Sequence, residues 1–152
     1  AVAVWQSASG GIASQRVSGE GQLLWGPVGV EVLSEKRPFS LAAGSEPGEA
    51  LIVWTEPEHR NNNVTVIRLW AQKLSADGSL VWDAAGTAFT ALESASTSLA
   101  QIFANDKGGA WVTWTAGRSS GGHHQDTTYI QLIAVDGQPL LGEDGLNLSD
   151  LR

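Results

Sequence analysis

Residues 70–86 run Trp70-Ala71-Gln72-Lys73-Leu74-Ser75-Ala76-Asp77-Gly78-Ser79-Leu80-Val81-Trp82-Asp83-Ala84-Ala85-Gly86. An apolar run, an Asp-Gly pair, a second apolar run closed by tryptophan and a further glycine describe two strands joined by a tight turn, since glycine accepts the positive φ that such turns impose. The pattern occurs twice more without gaps. Gln15 precedes Gly21 by six residues, and Trp25 and Gly29 follow; Gln131 precedes Gly137 by six, with Leu141 in the tryptophan slot and Gly145 closing the copy. Asp136-Gly137 repeats the Asp77-Gly78 dipeptide, and the turn glycines Gly21, Gly78 and Gly137 are 57 and 59 residues apart.

Upstream of each window lies an apolar strand ending in tryptophan: Ala3-Val4-Trp5, Ile52-Val53-Trp54 and Val112-Thr113-Trp114. The distance from this tryptophan to the glutamine is 10, 18 and 17 residues, so one connection varies while the remainder is constant. Phe39–Ala43 and its counterpart Leu99–Ala104 add an opening strand to the second and third copies. The tryptophan strands then cover 49–55 and 109–115, the glutamine strands 66–74 and 128–134, and a fourth strand runs from Leu80 towards Phe89. The tryptophan strands are apolar on both faces, as a sheet packed between others requires. No long helical periodicity competes. The expected fold is all-β, with β-propeller-like four-stranded antiparallel blades. Residues 1–38 form an incomplete first blade, 39–97 a second and 98–152 a third. Closed propellers have about 4–8 blades, so three remain open unless other chain segments or subunits complete them. The chain opens on Ala1 within an apolar run that lacks a charged leader and a cleavage pattern. We expect either a processed start or a piece of something longer.

These residues resemble the propeller-like blade repeats of bacterial secreted and cell-surface proteins. In that group a Gly-Gly-Ala-x-Val-x-Trp strand precedes an Ala-Gln-(Arg/Lys)-Leu strand and a Leu-Trp-Gly close. Gly108-Gly109-Ala110-Trp111-Val112-Thr113-Trp114, Ala71-Gln72-Lys73-Leu74 and Leu24-Trp25-Gly26 match those pieces. The resemblance covers nearly the whole chain. It implies a propeller-like fold and an extracellular, cell-surface or periplasmic location, and it transfers no catalytic residue.

Composition narrows the function. Among 152 residues, hydrophobic residues make 42% and charged residues 16%, a globular balance. Nine Lys+Arg against sixteen Asp+Glu give a net charge of -7, which argues against nucleic acid, whose binding depends on neutralising phosphates. The same balance argues against a polybasic grip on lipid, and no apolar run approaches a membrane span. Cysteine is absent, which excludes disulfides, thiolate metal sites and cysteine nucleophiles. We expect no cofactor and no metal.

The candidate chemistry is sparse. His123-His124-Gln125-Asp126, with His59 elsewhere, holds metal-ligating types but not the spacing, and flanking serines and glycines suggest a solvated loop. Glu56 and Glu58 flank Pro57 and evoke a glycosidase carboxylate pair, although a Glu-Pro-Glu sequence is more simply a turn with solvated charges. Ser75–Trp82 lacks the residue that a sialidase-type aspartate box has between aspartate and glycine. Asn105-Asp106-Lys107-Gly108 lacks the alternating ligands of a Ca²⁺ loop. No nucleophile elbow, phosphate loop or dinucleotide fingerprint is present.

Two features remain. Trp5, Trp54, Trp114, Trp25 and Trp82 recur at fixed register, with Gly21, Gly78 and Gly137, and are expected in the core between blades. Trp70 and Trp111 fall outside that pattern and are candidate surface aromatics. The variable connections are short at 7–11 and long at 56–63 and 116–126. As loops on one rim they would present Glu56, Glu58, His59, Arg60, Asn61, Arg118, His123, His124 and Asp126 to a partner. The expected function is a non-catalytic structural or interaction module of an exported bacterial protein. It would contribute blades to a larger assembly, its partners being other protein chains or missing segments of the same protein at the open faces. The alternative is a lectin-like or glycan-active propeller fragment that uses the long loops.

Overall fold

The computed structural model describes residues 1–35, 37–60, 64–93, 96–97, 100–120 and 123–150, with backbone alone at 59–60, 64–65, 91–93, 96–97, 118–120, 123–124 and 150. The protein is all-β, with three open antiparallel sheets in chain order. The first sheet holds β1 (Val2–Gln6), β2 (Ile12–Arg16) and β3 (Val30–Leu33), paired in that order. The second holds β4 (Phe39–Ala43), β5 (Ala50–Arg60), β6 (Val64–Leu74) and β7 (Thr87–Glu93). The third holds β8 (Ser96–Thr97) and β9 (Gln101–Ala104), which share one edge of β10 (Ala110–Ser120), followed by β11 (His123–Ile133) and β12 (Leu146–Asn147). A single 3₁₀ turn at Leu148–Asp150 is the only helical element among the described residues.

Register confirms the sequence alignment of the units. Trp5 pairs Ala13, Trp54 pairs Trp70 and Trp114 pairs Tyr129, each two residues before the unit's glutamine. The fourth strand is shorter than expected from the sequence. Leu80 makes only an isolated bridge to Leu74, and β7 begins at Thr87. Between them the chain turns at Gly86, whose N–H bonds the Asp83 carbonyl at 2.7 Å and whose φ is +88°. The Asp-Gly turn leaves only its glycine in the left-handed region, with φ +90° at Gly78 and +88° at Gly137.

The buried glutamine is the local reason that each unit holds its shape. Gln72 Oε1 accepts the N–H of Lys73 at 2.8 Å and of Trp82 at 3.1 Å, while Nε2 donates to the Asp83 carbonyl at 2.7 Å. Gln15 makes the same three bonds to Arg16, Trp25 and Gly26, and Gln131 to Leu132, Leu141 and Gly142. A chain that leaves the ladder after its turn needs partners for backbone groups that are buried, and one amide side chain supplies three.

Two apolar clusters lie between the sheets, one at each junction. Leu51 and Val53 face the third sheet and pack with Ile102, Val112, Trp114 and Ile133. Ala50, Ile52 and Trp54 face the first sheet and pack with Ile12, Trp25 and Val32. The period-two alternation of β5 therefore buries both faces, and residues 50–54 are all buried. Trp25, Trp54, Trp82 and Trp114 are core residues, as expected. Trp5 is not. It is 39% exposed because its face of β1 points away from the second sheet, and no described sheet packs there.

Candidate functional site

The described parts of the two long segments expected as rim loops, 56–60 and 116–120 with 123–126, are strands. In the second sheet, β5 and β6 stay paired from Glu56↔Arg68 out to Arg60↔Val64, with β7 on the far side of β6 as far as Val66↔Glu93, so Glu56-Pro57-Glu58 lies in an extended strand arm and not in a turn. Pro57 pairs Ile67 there and is tolerated because β4 pairs β5 only as far as Trp54. The side of Pro57 that carries no N–H therefore meets no neighbouring strand. The third sheet builds a matching arm, in which Gly117↔Asp126, Arg118↔Gln125, Ser119↔His124 and Ser120↔His123 are register pairs. The two histidines thus begin β11 instead of sitting in a solvated loop. Asn61 lies outside the described residues, as do the side chains of His59, Arg60, Arg118, His123 and His124.

The described part of the arm in the second sheet is an ion-paired groove. Arg68 Nη2 meets Glu58 Oε2 at 2.6 Å, and Arg37 Nη2 meets Glu56 Oε1 at 3.2 Å. A cavity of about 200 Å³ lies among Glu56, Pro57, Glu58, Arg68 and Trp70. Trp70 stacks on Trp54 with ring centroids 6.4 Å apart, so its inner face is committed to packing. Each carboxylate is engaged by an arginine, an arrangement that suits binding better than proton transfer. Among the described residues no three His, Asp or Glu side chains converge as metal ligands.

A second constellation, which sequence reasoning missed, joins the units. Trp25 of the first unit donates its indole N–H to the Ala76 carbonyl at 3.0 Å, and Arg16 donates to the same oxygen at 2.8 Å. One unit later, Trp82 donates to the Val135 carbonyl at 3.1 Å and Lys73 to the Gly108 carbonyl at 3.0 Å. Ala76 and Val135 each stand two residues before the turn glycine of the receiving unit. The indoles lie on those glycines: a Cβ on Gly78 would sit 2.9 Å from the Trp25 ring, and one on Gly137 would sit 2.9 Å from the Trp82 ring. Each junction is thus a tryptophan and a cation of one unit latched onto the Asp-Gly turn and neighbouring backbone of the next. The signal in the sequence was paired substitution. Where the first and second units carry Arg16 with Trp25 and Lys73 with Trp82, the third carries Leu132 with Leu141.

Lys73 also pairs with Glu49 at 2.9 Å, both side chains being largely buried. Burial on its own would raise the Glu49 pKa. The hydrogen bond and charge of Lys73, together with bonds from the Glu46 backbone and Ser45, outweigh it and hold the carboxyl below its ordinary value. At the turn itself, Asp77 is held low chiefly by its hydrogen bond from Ser75, reinforced by Ser79.

Compared with known protein families, curated proteins and solved structures, the chain finds no match in any of the three.

Proposed function

We propose that this chain is a non-catalytic structural and interaction module, contributing β-propeller blades to a larger assembly of an exported bacterial protein. The observation that carries this reading is the latch. At two successive junctions a tryptophan indole donates to the carbonyl two residues before the next unit's turn glycine and lies on that glycine. A cation of the same unit bonds to the next unit's backbone, so the unit is built to be stacked on another unit. The outer faces of the first and third sheets support it. Trp5 on one, and Phe103 and Trp111 on the other, are 39%, 50% and 37% exposed. Phe103 and Trp111 are register partners, so they form one contiguous apolar patch of the kind that a further blade would cover. The partners are then further blades, on other chains or on other segments of the same protein. An extracellular, cell-surface or periplasmic location rests on the resemblance to secreted blade repeats.

Sedimentation equilibrium of the 152-residue chain tests the reading. Concentration-dependent association above the monomer mass is expected, and a soluble, cooperatively folded monomer at micromolar concentration would overturn it. A carbohydrate-binding reading draws on the groove beside Trp70. Glycan binding that disappears in Trp70→Ala would favour that reading over the structural one.

A further inference from the structure

The three Asp-Gly-type turns are built alike. Gly21 N–H bonds the Ser18 carbonyl at 3.2 Å, while Gly78 and Gly137 bond the carbonyls of Ser75 and Ala134, each at 3.0 Å. Ser18, Ser75 and Ala134 in turn donate their N–H to the carbonyls of Gln22, Ser79 and Gln138. All three glycines are left-handed, with φ +83°, +90° and +88°. Their surroundings differ. Gly78 and Gly137 are buried beneath a tryptophan of the preceding unit, whereas Gly21 is exposed and nothing described lies within 4 Å of the Cβ it would carry. Leu23 repeats the contrast. Its equivalent Leu80 packs against the cluster between the first and second sheets, but Leu23 is 54% exposed.

We infer that the Ser18–Gln22 turn is a docking site for a further blade of this repeat, one that carries tryptophan in the slot of Trp25 and Trp82 and arginine or lysine in the slot of Arg16 and Lys73. The inference rests on the assembly reading above and names the partner. Gly19 holds the place of Ala76 and Val135, so its carbonyl is the acceptor for the incoming indole N–H. Gly21 is the seat for the ring, and Leu23 is its apolar flank. The occupant follows from the two junctions already formed, which use this chemistry each time. It is not the third unit of a second copy, because that unit offers Leu132 and Leu141, which have no side-chain N–H to donate. It is not the first or second unit of a copy either, since their tryptophans are already docked within the chain.

Supplying the missing donor tests the site. Leu141→Trp turns the third unit into a latch donor, and self-association of the full chain is measured by sedimentation against the wild type. An increase in the association constant of about tenfold or more is expected, as befits a buried indole at the centre of an interface. Two blocking changes in that background, Gly21→Ala and Leu23→Lys, are each expected to return association to the wild-type level. The first adds a Cβ where the incoming ring would sit, and the second places a charge against it. Leu23→Lys needs no left-handed residue, so it keeps the test valid if circular dichroism shows that Gly21→Ala disturbs the turn. Association of Leu141→Trp no tighter than wild type, or a gain that survives Leu23→Lys, overturns the site. If the wild-type chain associates while Leu141→Trp adds nothing, the site fails and the assembly reading stands. If the wild type is monomeric and Leu141→Trp associates through Leu23, the site stands and self-association of the native chain is what fails.

Discussion

Trp54 and Trp5 occupy the same position of the repeat, and each points its ring at the glycine that closes its own unit. A Cβ on Gly86 would lie 2.7 Å from the Trp54 ring, and one on Gly29 would lie 3.4 Å from that of Trp5. Yet Trp54 is 2% exposed and Trp5 is 39% exposed. Strand register decides where the side chain points, but the neighbouring sheet decides whether water reaches it. Leu41 and Ile102 repeat the lesson on the opening strands. Ile102 packs into the junction between the second and third sheets at 2% exposure, while Leu41, its equivalent in the second sheet, is 39% exposed. Leu41 lines a cavity of about 480 Å³ with Val2, Arg16, Ala43 and Glu49. A repeat is therefore complete in its backbone before it is complete in its packing, and the unit alone cannot bury its own faces.

Truncation of the tryptophans gives the largest test of this contrast. Trp54→Ala and Trp114→Ala should each destabilise by about 3–5 kcal/mol, the usual cost of a buried aromatic truncation. Trp5→Ala should cost no more than about 1 kcal/mol, as a partly exposed side chain that no neighbouring sheet covers does. Urea unfolding midpoints of the three variants check it, and equal losses at all three positions would erase the distinction drawn between them.

The glutamine brace should behave in the opposite way, because its partners lie inside the unit. Gln72→Met keeps the side-chain length but leaves two N–H groups and one carbonyl without their bonds, at a cost of about 2–3 kcal/mol. The same substitution at Gln15 and at Gln131 should cost a similar amount, although the three units have different neighbours. Equilibrium unfolding of the three variants reports it, and a loss confined to Gln72 would show that the brace depends on packing between sheets after all.

The smallest expected effect separates the two junctions by pH. Glu49 pairs with Lys73 only at the junction of the second and third units, and its pKa is lowered in the folded protein. A carboxyl with a lowered folded-state pKa adds stability above its unfolded value and loses it as the pH falls through the folded value. Stability should therefore decline on acidification more steeply in the wild type than in Glu49→Gln. Unfolding midpoints followed from neutral into acid solution measure this, and superimposable pH profiles would remove Glu49 from the account.

Much of the unit was legible in the sequence. The Gln-to-Gly spacing, the Asp-Gly turns and the alternating apolar strands are local features, each set by a few adjacent residues, and they located β4 to the residue. The arms were misread for a local reason too. Glu56-Pro57-Glu58 and the serines, glycines and histidines of 119–124 have turn composition, and nothing nearby reveals that a partner strand of equal length lies opposite. Glu58 and Arg68, ten residues apart in the chain, become an ion pair only once the hairpin closes.

The sequence by itself therefore determined the three units, their strand order, the left-handed glycines and the glutamine in each copy, because hydrogen bonding within a hairpin and steric limits on φ act over short stretches of chain. Tertiary structure alone decided which equivalent residues are buried and which carbonyls receive the tryptophans and cations. Trp25 and Ala76 are 51 residues apart, as Trp82 and Val135 are 53 apart. No spacing rule connects an indole to a backbone oxygen at that distance. The bond exists because one sheet packs on the next, and packing is a property of two surfaces meeting rather than of either strand that forms them.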